Sequence, residues 1–168
     1  MRISAIFDLF RKRRVRFRPF QYPDTYREIC EMKTPISHIL TKAAQLPKNK
    51  QGEFLAEHPR AQLIAGFLHL ALNEAVKWNL PEGDPPYKPA EHDEWGILAK
   101  ETRRMNIFLV GGGYDEMKQS KREKVFIEIL ESVHADDAKL LLLLKDKKLP
   151  EGLDAKSIIK AFPGIDGK

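Results

Sequence analysis

The sequence predicts an all-α protein: an irregular multi-helix bundle preceded by an extended basic N-terminal arm. Apolar residues recur at helical spacing in successive windows of the chain. Prolines, glycines and capping side chains fall where those windows begin and end. The positive charge is gathered before the first proline, so residues 1–22 read as an arm and residues 23–168 as a helical domain.

In the arm, Ile3, Ile6, Phe7 and Phe10 share one face of a short helix. Arginines then alternate with Val15 and Phe17, and period two sets Arg14, Arg16 and Arg18 on one side of an extended segment. Pro19 and Pro23 discourage helix across the junction.

In the body, Thr25 and Glu28 have capping-box spacing and open a short helix to about Met32. Thr34-Pro35 reads as an N-cap with proline at the first helical position, followed by Ile36, Ile39, Leu40 and Ala43 until Pro47. A short helix is expected over Gln51 to His58. Pro59 opens the longest helix, to about Trp78, whose broad apolar stripe marks it as central. Leu80 to His92 holds four prolines and is expected as an extended connector anchored by Tyr87.

Helical spacing resumes from Asp93 to Val110 and stops at Gly111-Gly-Gly113, a helix–helix corner. Further helices are expected from Tyr114 to Val133 and, after a break near His134, from Asp136 to about Lys147. The second of these carries the leucine run Leu140 to Leu144, which core burial or a second subunit must cover. Asp154 caps a last turn or two, and Pro163-Gly164 ends it, with Phe162 turned into the core.

A chain of 168 residues buries enough surface to fold without staples. Its one cysteine, Cys30, excludes an internal disulfide and any multi-cysteine zinc site. The sequence shows no secretory signal, and the leucine run is far below the roughly 17–25 residues that span a bilayer, so no membrane insertion is expected. Net charge is +5, unevenly spread: residues 1–18 hold seven basic side chains against Asp8, leaving 22 basic and 23 acidic side chains for the rest. The basic character belongs to the arm, not to the body.

Three segments occur in order in the second half: Leu80-Pro-Glu-Gly-Asp-Pro-Pro-Tyr-Lys-Pro89, then Glu131 to Ala138 with Lys145 to Lys148, then Ala161 to Ile165. This half resembles an uncharacterised family of small proteins encoded by T4-like tailed bacteriophages, notably those of cyanobacteria. The resemblance covers roughly residues 80–165 and does not include the arm. It implies residence in the infected bacterial cytoplasm or in a virion, and brings no activity, cofactor or catalytic residue.

Arg11, Lys12, Arg13, Arg14, Arg16 and Arg18 suit phosphate, because guanidinium groups make paired, charge-assisted bonds to it. Phe17 stacks on unpaired bases in the same reading. The plainer readings are a strap on an acidic protein or a solvated tail, and the residue types do not choose between DNA and RNA. Ile6, Phe7, Leu9 and Phe10 resemble the short Leu-Asp-Leu-Phe type of peptide that replication proteins insert into a sliding clamp. An amphipathic helix packing on its own body or a subunit explains the same residues, as does a membrane-surface helix.

Other motifs yield less. Val110 to Tyr114 lacks both glycine-rich phosphate-loop patterns. Ala161 to Lys168 is similar to the turn of helix-hairpin-helix DNA binders but has no helix after it. The histidines at 38, 58, 69, 92 and 134 show no metal-ligand spacing, and no nucleophile elbow is present. His92-Asp93-Glu94 and Asp136-Asp137 read as helix-start carboxylates rather than ligands. No catalytic residue, metal or cofactor is therefore expected. The sequence points to a non-enzymatic phage accessory protein that acts by binding, its body docking on a phage or host protein and its arm on nucleic acid. The alternative is a virion structural or assembly component that uses the arm for subunit contacts, and oligomerisation is open.

Overall fold

A computed structural model of the chain describes residues 34–90 and 98–167. The arm with all its candidate binding residues, the helix expected before Met32, Cys30 and the His92 to Glu94 group lie outside the described residues. Within them the protein is helical, as expected. There are seven α-helices, one 3-10 helix and a single isolated bridge between Trp78 and Leu109.

The helices are α1 (Ile36–Ala44), α2 (Lys48–Glu57), α3 (Ala61–Leu72), α4 (Leu98–Glu101), α5 (Gln119–Ser132), α6 (Ala135–Lys145) and α7 (Ala155–Ala161). The 3-10 helix spans Thr102–Phe108, directly after α4. The leucine helix α6 packs against α1, α3 and α5, while α2 packs on α7, α1 and α3. Leu141 and Leu144 are fully buried, and Leu140 and Leu142 nearly so. The core of the same domain covers the leucine run. It also holds Phe67, Leu68, Ile129, Leu130 and an edge-to-face pair, Phe108 and Phe126, with ring centroids 5.2 Å apart.

Several boundaries differ from expectation, each for a local reason. The helix expected to reach Trp78 ends at Leu72. There the side chain of Asn73 accepts the Ala75 amide, and Lys147 Nζ donates to the carbonyls of Leu70 and Asn73 at 2.7 and 2.8 Å. The chain then extends, and Lys77 and Asn79 bond with Val110 and Phe108. Among the described helices, α3 and α6 bury the most residues. The helix expected over Asp93 to Val110 contributes only α4 and the 3-10 helix to the described residues, and Leu109 is extended.

The helix expected from Tyr114 begins at Gln119, after a turn in which Met117 N donates to Tyr114 O. Helix α2 starts three residues earlier than expected, just after Pro47. Thr34 does not cap α1: Pro35 occupies the position before the helix, with no side-chain cap. Helix α6 is capped by His134, whose ring accepts the Asp136 amide, with Asp136 and Asp137 in its first turn. Asp154 caps α7 as expected, through Ser157 N. The connector of residues 80–90 has no regular structure, and Tyr87 packs against the core.

No helix among the described residues is long and apolar enough to cross a membrane.

Candidate functional site

Two exposed apolar side chains mark one loop. Val110 and Tyr114 are 49% and 46% exposed, and no other large hydrophobic among the described residues is classed as exposed. They flank the glycine corner between the 3-10 helix and α5, which is braced rather than slack. Arg122 of α5, only 2% exposed, donates through Nε to Ile107 O, through Nη1 to Gln119 Oε1 and through Nη2 to Tyr114 O, at 2.7 to 3.0 Å. The carboxylate of Asp115 accepts the Gly111 amide at 2.8 Å.

Glycine is required at 112, since a Cβ there would collide with the carbonyl oxygen of Asn106. Gly111 and Gly113 both adopt positive φ. The tip thus presents Tyr114 from a fixed backbone, beside the exposed Asp115 and Glu116. A held aromatic loses little freedom on docking, which is the physical requirement for an interface anchor.

A concavity of about 620 Å³ lies between residues 74–83 and 145–148 and brings together two of the sequence segments singled out above. Two of its four lysines, Lys145 and Lys147, are committed to the fold. Lys145 Nζ bonds Asp146 Oδ1 at 2.6 Å and Pro81 O at 3.4 Å, and Lys147 caps the end of α3. Burial pushes the Lys147 ammonium below its usual pKa. The cleft fastens the connector to the end of α6.

At the starts of α1 and α6 the long-range packing assembles a third group. Ser37 N donates to Asp137 Oδ1 at 2.8 Å, tying the two first turns together. Beside that bond, His38 Nε2 lies 3.2 Å from Asp136 Oδ2, and His134 Nδ1 lies 3.8 Å from the same oxygen. The bond to His38 and the neighbouring His134 and Lys139 hold the Asp136 carboxyl below its usual range against a smaller effect of burial. The sequence offered no signal for this group, because His38 and Asp136 are 98 positions apart.

A family model described as a family of unknown function, DUF6433, matches residues 39–151. The chain belongs to the DUF6433 family. The DUF6433 match takes in the proline-rich connector, the braced glycine corner and the whole of α6, and leaves out residues 1–22. No curated protein matches the chain. Of the predicted site residues, those at 6–18 lie outside both the described residues and the DUF6433 match.

Proposed function

We propose that the protein is a non-enzymatic phage accessory protein that works by binding, its helical body docking on a protein partner while its basic arm contacts nucleic acid. The observation that carries the reading is the separation of charge: seven basic side chains against one acidic in residues 1–18, and near-neutrality in the remainder. Polyanions bind to such an arm by releasing counterions, with no built pocket needed. The docking half of the reading is supported by the Arg122-braced loop, whose exposed Val110 and Tyr114 sit beside Asp115 and Glu116. Those carboxylates repel phosphate, so the loop suits a protein surface and the arm suits nucleic acid. The phage setting follows the sequence resemblance of residues 80–165.

The test is fluorescence anisotropy of the full chain with labelled single- and double-stranded DNA and with RNA, across a salt series. Five or six phosphate contacts give log affinity a slope of about −4 to −5 against log salt. Replacing Arg11, Arg13, Arg14, Arg16 and Arg18 with glutamine flattens that slope. Salt-dependent binding unchanged by these substitutions would overturn the arm's role. Mass spectrometry of material co-purified from infected cells, before and after nuclease, tests the docking half. A nuclease-resistant protein partner lost in Val110→Ser/Tyr114→Ser supports it; one retained in that variant refutes the loop's part.

A further inference from the structure

We propose that His38, His134 and Asp136 form a binding site for a divalent transition metal of the Zn(II) class. Each offers one ligand atom, and the three ligand atoms lie within 4.8 Å of one another. Tetrahedral Zn(II) with bonds of about 2.0–2.1 Å places its ligand atoms about 3.3–3.4 Å apart. The separations of 3.2 Å for His38 to Asp136 and 3.8 Å for His134 to Asp136 bracket that value. His38 and His134 present their ligand atoms within 4.8 Å of each other, and closing the site requires these two rings to turn toward the ion.

The scaffold is already fixed by a residue that is not itself a ligand. Asp137 is 3% exposed and bonds Ser37 N, so the two helix starts stay in register whether or not metal is present. Two imidazole nitrogens and one carboxylate oxygen favour Zn(II), Co(II) or Ni(II) over Mg(II) or Ca(II), which prefer all-oxygen sets. His38 and Asp136 are each 46% exposed at the side chain, giving the ion an entry path and leaving room for water as a fourth ligand.

Three features oppose the ion and weaken the site. Helix N-termini favour anions, and here two of them meet, offset by the carboxylates of Asp136 and Asp137. Lys139 Nζ also sits 3.5 Å from Asp136 Oδ1. His134 Nδ1 accepts the Asp136 amide at 3.1 Å, so coordination through that nitrogen exchanges a capping bond for a metal bond. Coordination links the first turn of α1, and hence the chain entering the body, to the leucine helix.

The test uses the full-length, tag-free protein after chelator treatment, titrated with Zn(II) by calorimetry and with Co(II) by visible absorption. One equivalent per chain is expected, with Co(II) bands of a four- or five-coordinate site. His38→Gln and Asp136→Asn, at half-exposed positions, are each expected to weaken binding at least tenfold while circular dichroism stays unchanged. Cys30→Ser and His92→Gln are expected to bind as the parent does. Absence of saturable binding overturns the proposal. So does binding that survives both His38→Gln and Asp136→Asn, or that disappears in Cys30→Ser or His92→Gln.

Discussion

Nδ1 of His69 donates a hydrogen bond to the carbonyl oxygen of Ile165, 2.7 Å away and 96 positions later in the chain. The carbonyl can only accept, which fixes the proton on Nδ1 and leaves Nε2 to accept from Asn73 Nδ2 at 3.3 Å. Ile165 is fully buried, so this bond holds the segment after α7 against α3. His69→Leu keeps an apolar side chain of related size but leaves the Ile165 carbonyl unpaired. The expected loss is about 1–3 kcal/mol, read from urea denaturation.

The same histidine makes stability depend on pH. Burial is the main reason its pKa falls below the ordinary 6.5, with the Ile165 bond opposing the fall and Lys147 adding to it. The unfolded chain therefore takes up the proton more readily than the folded one. The stabilisation is complete above pH 6.5 and is lost as pH drops through the folded value. Denaturation midpoints measured between about pH 7.5 and about pH 5.5 should decline, and the decline should be shallower in His69→Gln.

Arg122 is expected to matter more than any exposed charge. Arg122→Met leaves the carbonyls of Ile107 and Tyr114 without their charged donor. The expected cost is about 2–4 kcal/mol. Arg122→Lys should recover only part of it, since one ammonium cannot replace the guanidinium fork at three divergent acceptors. Hydrogen exchange across residues 107–119 would rise in both variants.

Two helical glycines should answer the same substitution with opposite signs. At Gly52 of α2, a Cβ would collide with the Ser157 carbonyl and press on Ala161 Cβ, because α7 lies directly against that point. Gly52→Ala should therefore destabilise by about 1–3 kcal/mol despite alanine's better helix propensity. At Gly66 of α3 nothing lies within 4 Å of the added carbon. There Gly66→Ala should stabilise by about 0.5–1 kcal/mol. Thermal melts of the two variants against the parent decide both.

What the sequence revealed was local. Asp154 as a cap, the prolines of the connector, Tyr87 as its anchor and the buried leucine run all depend on neighbours within a few residues. The end of α3 was not legible, because Ala75 and Val76 continue its apolar repeat past the true stop. That stop is made by Asn73 together with Lys147, which approaches from 74 to 77 positions away. The 3-10 stretch before Leu109 is not distinguishable from α-helix in the sequence, because core contacts three positions apart, Met105 and Phe108, fit either coil at that length. The His38 cluster was invisible for the same reason as the helix stop, with His38 lying 98 positions from Asp136. Side chains that meet across the fold leave no spacing in the chain, whereas the arm announces itself by composition alone.

The bonds that close the body pair its beginning with its end. Ser37 meets Asp137, Gln51 meets both Gly152 and Asp154, Gly52 meets Ser157, and each pair is separated by 100 to 105 positions. During synthesis, α1 to α3 leave the ribosome long before the partners that complete their hydrogen bonding exist. Closure must wait until Ile165 has emerged, so the apolar faces of α1 to α3 stay uncovered until then. Folding should be slow for so helical a molecule, and holdase chaperones have their opportunity in that interval.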